Sequence, residues 1–324
     1  MSLHIALSIF AILGGFVALV WGADRFVNGA SATASNFGIS PLIIGLTIVG
    51  LGTSAPEIFV SIVAAWQGNP SLAVGNAIGS NIANIGLVLG CTAIMIPLIV
   101  KSEILRREYP VMFVIMLVAL ILMVDGHLGF WDGIILTSGV ILMIYWIVSL
   151  SLRKNKRDPL EKEYAKEIPQ LSTQMGIFWL IVGLIILLIS SRFLVWGAVN
   201  VAHALGVSDL IIGLTIVAIG TSLPELAASL ISAYKKEPDI AIGNIIGSNM
   251  FNLLVVLGLP GIIAPHMLDA SVLSRDFPFM IGLSVALFAV AYGFRGDGRI
   301  TRIEGALLLI AYFTYLGTIY WQIT

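Results

Sequence analysis

Apolar residues fill ten stretches of the chain, near 5–32, 41–66, 73–99, 105–124, 132–152, 174–205, 210–234, 241–264, 277–294 and 303–323. Each is close to or above the about 20 residues that an α-helix needs to cross a ~30 Å hydrocarbon core. The pattern predicts an all-α membrane protein with ten transmembrane helices. Five fall in a first half, 1–152, and five in a second, 174–324, with a polar linker over 153–173. An odd number of spans per half makes the second half enter the bilayer from the opposite side, so the halves are expected to have inverted topology about an axis in the membrane plane.

Polar residues interrupt these runs at two corresponding places. Ile43 to Gly90 and Ile211 to Gly258 align without a gap at an offset of 168 residues, with about half of the positions identical. A duplication explains the match. The retained residues are Gly, Thr, Ser, Pro, Glu and Asn, which are costly in hydrocarbon. The repeat therefore marks a site as well as a fold.

Composition agrees with the span count. A hydrophobic fraction of 58% and a charged fraction of 11%, with a mean hydropathy of +1.02, lie outside the range of water-soluble domains. Charge then orients the chain. Loops after the odd-numbered spans hold Lys101, Arg106, Arg107, Arg153, Lys154, Lys156, Arg157, Lys162, Lys166, Lys235, Lys236, Arg295, Arg299 and Arg302, whereas the other side holds Arg275 alone. Basic residues mark the cytoplasmic side, so both termini are expected outside the cytoplasm, in a multi-pass protein of the cytoplasmic (inner) membrane. Arg25 and Arg192 lie within spans and are left out of this comparison.

Several classes of function are excluded or disfavoured. A net charge of -1 implies no nucleic-acid partner. The linker from Arg153 to Gln170 is too short to build a core and reads as a solvated connector. Cys91 is the one cysteine, so no intrachain disulfide forms. The first span is no cleaved signal, because Met1 to His4 lacks Lys and Arg and the apolar stretch is too long. No cofactor and no obligate protein partner are expected beyond the lipid bilayer.

The motifs are GTSAPE, Gly52 to Glu57, and GTSLPE, Gly220 to Glu225, in the middle of the second and seventh spans. Proline lacks an N–H, and its ring displaces the carbonyl four residues earlier. Pro56 thus frees the carbonyl of Gly52, and Pro224 that of Gly220. Each helix is expected to kink or break there, and the released carbonyls can face cations. Glu57 and Glu225 follow directly. An ionised carboxylate at the bilayer centre costs ~3 kcal/mol even on a lenient scale, and neither repeat holds Lys or Arg near them to compensate. Bound cations are the expected counter-charge; a Glu kept protonated is the alternative.

The third and eighth spans carry GNAIGSNIAN and GNIIGSNMFN. Asn76, Ser80 and Asn84 share one helical face, as do Asn244, Ser248 and Asn252. Their glycines make small-xxx-small surfaces for a neighbouring helix, but packing does not explain the polar stripe. Together Glu57, Glu225, Thr53, Ser54, Ser80, Thr221, Ser222, Ser248, Asn84 and Asn252, with carbonyls near Gly50 and Ala218, form an all-oxygen set. Hard cations use such ligands, Ca2+ taking ~6 to 8. Without His or Cys in either motif, zinc and copper are disfavoured; Mg2+ holds its waters too tightly for a crowded site.

The paired GTS-x-PE and GN-x-IGSN-x-x-N motifs resemble the alpha repeats of the Na+/Ca2+ exchangers in the cation/Ca2+ antiporter superfamily, most closely its short bacterial inner-membrane members. The resemblance implies a central site in which Glu57 and Glu225 serve both Ca2+ and Na+. It also implies ligand roles for Thr53, Ser54, Ser80, Asn84, Thr221, Ser222 and Ser248 with the Gly50 and Ala218 carbonyls, and alternating access in which the first and sixth helices slide over the other eight. Several relatives have an acid where this chain has Asn252, which leaves Na+ or H+ as the counter-ion. A cation channel fits inverted repeats with broken helices less well than an exchanger. An enzyme is disfavoured: no Asp lies in the motifs, and His4, His127, His203 and His266 all lie outside them. Finally, Asp24 and Arg192 are equivalent under the 168-residue offset and opposite in charge, which leaves two readings open: an ion pair between the first and sixth helices, or two side chains that each snorkel to water.

Overall fold

The computed structural model describes residues 2–100, 107–153, 171–205, 218–292 and 298–323. The first half contains α1 (Ser2–Phe37), α2 (Pro41–Ile44), a π-helical turn (Gly45–Val49), α3 (Gly50–Thr53), α4 (Ala55–Trp66), α5 (Pro70–Ala83), a second π turn (Asn84–Leu89), α6 (Gly90–Met95), β1 (Leu98–Val100), α7 (Glu108–Met123), β2 (His127–Leu128) and α8 (Phe130–Arg153). The second contains α9 (Thr173–Ala204), α10 (Ala218–Thr221), α11 (Leu223–Tyr234), α12 (Pro238–Phe251), a π turn (Asn252–Val256), α13 (Gly258–Ile263), β3 (His266–Met267), a π turn (Val272–Asp276), α14 (Phe277–Ala291), β4 (Gly298–Ile300) and α15 (Arg302–Ile323). Three pairs, α4/α11, α5/α12 and α6/α13, begin 168 residues apart. The sequence repeat is therefore a repeat of local structure, set by the same Pro and Gly positions.

Among the described residues seven helices are long and apolar enough to cross a membrane, eight if the bent pair Leu42–Thr53 and Ala55–Trp66 counts as one span. Two of the ten expected stretches differ. The 105–124 stretch yields α7, only 16 residues long, and residues 210–217 of the seventh lie outside the described part, as does most of the 153–173 linker. The first helix is longer than its apolar stretch suggests, 36 residues, or about 54 Å at 1.5 Å per residue. Its polar end stays helical because Ala30 and Ala34 are buried there.

The motif helices occupy the middle. An 18-residue apolar window of Pro238–Ile263 is 94% buried within the protein, against 22% for the corresponding window of His4–Phe37. At the rim, α1 and α9 pack against each other antiparallel through small residues spaced by seven. A Cβ on Gly15 would lie 3.2 Å from the Ser190 carbonyl, one on Gly22 3.3 Å from that of Gly183, one on Gly29 2.8 Å from that of Gly176, and one on Gly197 2.5 Å from that of Ser8. Close approach of this kind drives helix association where lipid and Leu are equally apolar.

That register separates Asp24 from Arg192, so of the two readings the ion pair is not formed. The glycine contacts set Asp24 opposite the stretch from Ile181 to Ile185, and Arg192 lies at least seven residues further along α9, about 10 Å or more away at 1.5 Å per residue. Asp24 instead accepts Lys235 Nζ at 2.7 Å and Asn28 Nδ2 at 3.2 Å, which ties α1 to the end of α11. The Arg192 guanidinium lies 5.2 Å from the Phe59 ring centre, and that of Arg25 lies 5.5 and 4.9 Å from the rings of Trp21 and Trp179. Aromatic faces thus meet both in-span arginines.

The all-α expectation also lacks two short antiparallel ribbons that join the halves. β1 pairs with β4, Leu98 opposite Ile300, and β2 with β3, His127 opposite Met267. Each segment follows the end of a helix, where backbone N–H and C=O groups would otherwise be unpaired. In the second ribbon, burial holds the His266 imidazole below the ordinary histidine value.

Candidate cation site

Each GTS-x-PE motif breaks its helix at the serine. Ser54 has φ -78 and ψ 4, Ser222 φ -87 and ψ 4, and Pro56 and Pro224 stand in the first turns of α4 and α11. Around Ser54 the axis bends by 42°, as the prolines predict. Each glutamate thereby enters the first turn of a new helix, where the helix dipole favours negative charge. Glu57 and Glu225 are both buried.

The asparagines of α5 and α12 clamp those turns. Asn76 Nδ2 donates to the Glu57 carbonyl at 3.0 Å and to Ser61 Oγ at 3.2 Å. Asn244 Nδ2 repeats this with the Glu225 carbonyl at 3.3 Å and Ser229 Oγ at 3.0 Å. Their role here is to hold the glutamate backbone. Asn84 and Asn252 each open a π turn, a local widening common at functional positions. Nothing in the residue spacing announces those turns.

Contacts across the halves join five of the twelve expected residues, Gly50, Thr53, Ser54, Glu225 and Ser248. Thr53 Oγ1 donates to Asn244 Oδ1 at 3.0 Å and lies 3.4 Å from Ser248 Oγ. Ser248 Oγ donates to the Gly50 carbonyl at 3.2 Å, and Ser54 Oγ to Glu225 Oε1 at 3.2 Å. The Gly50 carbonyl is thus shared with hydroxyls. Ser80 is buried on α5, Thr221 closes α10, and Ala218 is its first residue.

The polar atoms left over are concentrated in this region. Both carboxylate oxygens of Glu57, Oε2 of Glu225, Oδ1 of Asn84, Oγ of Ser222 and both amide atoms of Asn252 are buried without a hydrogen-bond partner among the described residues. Stranding one buried polar group costs ~1–3 kcal/mol, more when it is charged, so a cluster of oxygens in two symmetric motifs fits the binding of hard cations. No group of three His, Cys, Asp or Glu side chains able to hold a metal exists among the described residues. The set is two carboxylates with neutral oxygens, suited to hard cations and unsuited to soft metals. Two further buried asparagines, Asn81 and Asn249, border the site. Each directly follows a motif serine and falls off the face that Ser80 or Ser248 shares with its neighbours.

Comparison with known proteins extends this picture. The family described as sodium/calcium exchanger protein matches residues 7–151 and 175–321. CaxA of Alkalimonas amylolytica is 49% identical over 305 residues, covering 94% of this chain and 96% of that protein. Inner membrane protein YrbG of Escherichia coli is 41% identical over 313 residues, covering 96% of each. Solved structures of a sodium-calcium exchanger, NCX_Mj, superpose with a TM-score of 0.83 at 32% identity, covering 97% of this chain and 98% of that one.

Proposed function

Because the chain belongs to the sodium/calcium exchanger family, we propose that it is a secondary antiporter that exchanges Ca2+ for Na+ across the cytoplasmic membrane by alternating access. The observation that carries this reading is the cluster of buried oxygens on Glu57, Glu225, Asn84, Ser222 and Asn252 that have no hydrogen-bond partner among the described residues. Glu57 and Glu225 supply the negative charge. Thr53, Thr221, Ser54, Ser222, Ser80, Ser248, Asn84 and Asn252 supply neutral oxygens, with the carbonyls of Gly50 and Ala218. Two carboxylates balance one Ca2+ or two monovalent ions, so Ca2+ and its counter-ion compete for the same charge.

The architecture proposed with it is ten spans in two inverted five-helix repeats, both termini extracytoplasmic. Support comes from the matched starts of α4/α11, α5/α12 and α6/α13 and from the charge asymmetry of the loops. Helices α1 and α9, which pack on each other through glycine, are the pair that slides. H+ is the alternative counter-ion, since Asn252 leaves the site without a third acid. Sealed vesicles separate the two: Ca2+ uptake driven by an outward Na+ gradient at matched pH supports Na+ coupling. Uptake that responds to a pH gradient and not to Na+ replaces it with H+.

A further inference from the structure

We infer that Asn249 and Asn81 are positioning residues of the exchange cycle, each orienting the site asparagine of the opposite half, and that the two orienting bonds are made alternately. The inference rests on the reading of the site as an exchange centre. Asn249 and Asn81 are fully buried and 168 residues apart. Their amide nitrogens face thioethers: Asn249 Nδ2 lies 4.0 Å from Met112 Sδ, and Asn81 Nδ2 lies 3.5 Å from Met280 Sδ. Met112 and Met280 are again 168 residues apart, on α7 and α14. A thioether accepts but never donates, so it fixes which end of each amide turns away from it.

In one half the arrangement is complete. Asn249 Oδ1 accepts from Asn84 Nδ2 at 3.0 Å. With its nitrogen engaged, Asn84 leaves Oδ1 buried and unpartnered among the described residues. In the other half the same residues stand apart. Asn81 Oδ1 and both amide atoms of Asn252 have no partner among the described residues. The serine and glutamate pairs divide in the same sense. Ser54 donates to Glu225 at 3.2 Å, whereas Ser222 Oγ and both Glu57 carboxylate oxygens have no partner among the described residues.

Two halves with the same residues and different contacts define one of two conformations related by exchanging the states of the halves, as repeat transporters do in alternating access. In the exchanged conformation Asn81 holds Asn252, Ser222 meets Glu57, and Asn249 releases Asn84. Each positioning bond therefore tunes cation affinity on one face of the membrane only.

The test is the KM for Ca2+ measured separately on each face of oriented proteoliposomes. Asn249→Leu, nearly isosteric, should raise KM about tenfold on one face and less than about twofold on the other, and Asn81→Leu should do the same with the faces reversed. In an Asn84→Ala background Asn249→Leu should add nothing. Asn249→Asp, which retains an acceptor, should return KM on the affected face to the wild-type value or below. Effects of both leucine variants on the same face overturn the alternation. Unmoved KM, a change in maximal rate alone, or additivity with Asn84→Ala overturns the positioning role. If Asn249→Leu does not insert, Asn249→Ala and Asn249→Asp carry the same comparison. A wild-type protein that moves no Ca2+ overturns the proposed function itself, whereas a working exchanger with unmoved KM overturns this inference alone.

Discussion

Replacing Asp24 by Asn removes one partner of the ion pair that joins α1 to the end of α11. Asp24 Oδ1 and Lys235 Nζ are 2.7 Å apart, with side chains 36% and 26% exposed. At that separation two unit charges attract by about 1.5 kcal/mol in water and several times more at an intermediate dielectric. Partial exposure and the entropy of holding Lys235 pull the net value down, toward the ~0.2–1 kcal/mol measured for exposed pairs. A coupling of ~1 kcal/mol is expected. Unfolding of purified protein in mixed micelles, for wild type, Asp24→Asn, Lys235→Gln and the double variant, reads it directly. The double variant should be about as stable as the worse single one. Asp24→Asn combined with Arg192→Gln should instead be additive within ~0.5 kcal/mol, since about 10 Å or more of helix separates those residues. Additivity in the first cycle refutes the Asp24–Lys235 pair, and coupling in the second refutes the helix register described for α1 and α9.

Three further outcomes follow from particular contacts. A Cβ on Gly183 would lie 2.4 Å from the Phe26 backbone nitrogen, so Gly183→Ala should destabilise the α1/α9 pair by about 2 kcal/mol or more, read as a lower melting temperature. Gly14→Ala, with nothing within 4 Å, should leave it within about 0.5 kcal/mol of wild type. Ser54→Ala removes the hydroxyl that donates to Glu225 and should raise the KM for Ca2+ several-fold; an unchanged KM removes Ser54 from the site. In the proposed site Asn252→Asp would add a third carboxylate to two others, and like charges resist simultaneous ionisation. Its Ca2+ flux should therefore depend more steeply on pH between about 5 and 8 than that of wild type, and an identical profile would mean that Asn252 does not face the ions.

Much of the site is legible in the chain because polar residues are expensive in hydrocarbon and stand out there. Pro56 and Pro224 locate the breaks, and Glu57 and Glu225 mark the charge. Geometry that rests on small or neutral residues is harder to read. The seven-residue spacing of Ser8, Gly15, Gly22 and Gly29 opposite Gly197, Ser190, Gly183 and Gly176 sits in a uniformly apolar stretch, where glycine carries no hydropathy signal. Missing that spacing leaves the α1/α9 register open, and Asp24 and Arg192 then look like partners on symmetry alone. The offset relates equivalent positions, while an antiparallel pair brings together positions that run in opposite directions along the chain. Asn81 and Asn249 are equally hidden, since their value lies in a bond to another half of the chain. The two ribbons involve only two or three residues per strand, fewer than any periodic pattern can register.

The proposed function requires that Glu57 and Glu225 bind the exchanged Ca2+. It is tested most directly by uptake of radiolabelled Ca2+ into proteoliposomes loaded with Na+, comparing wild type with Glu57→Gln and Glu225→Gln at equal inserted protein. Wild type should accumulate Ca2+ while the outward Na+ gradient lasts. Each amide removes half of the carboxylate charge facing a dehydrated divalent ion, where neutralisation dominates, so each variant should fall to the level of protein-free liposomes. Near-normal uptake by either variant would contradict the assignment of the site.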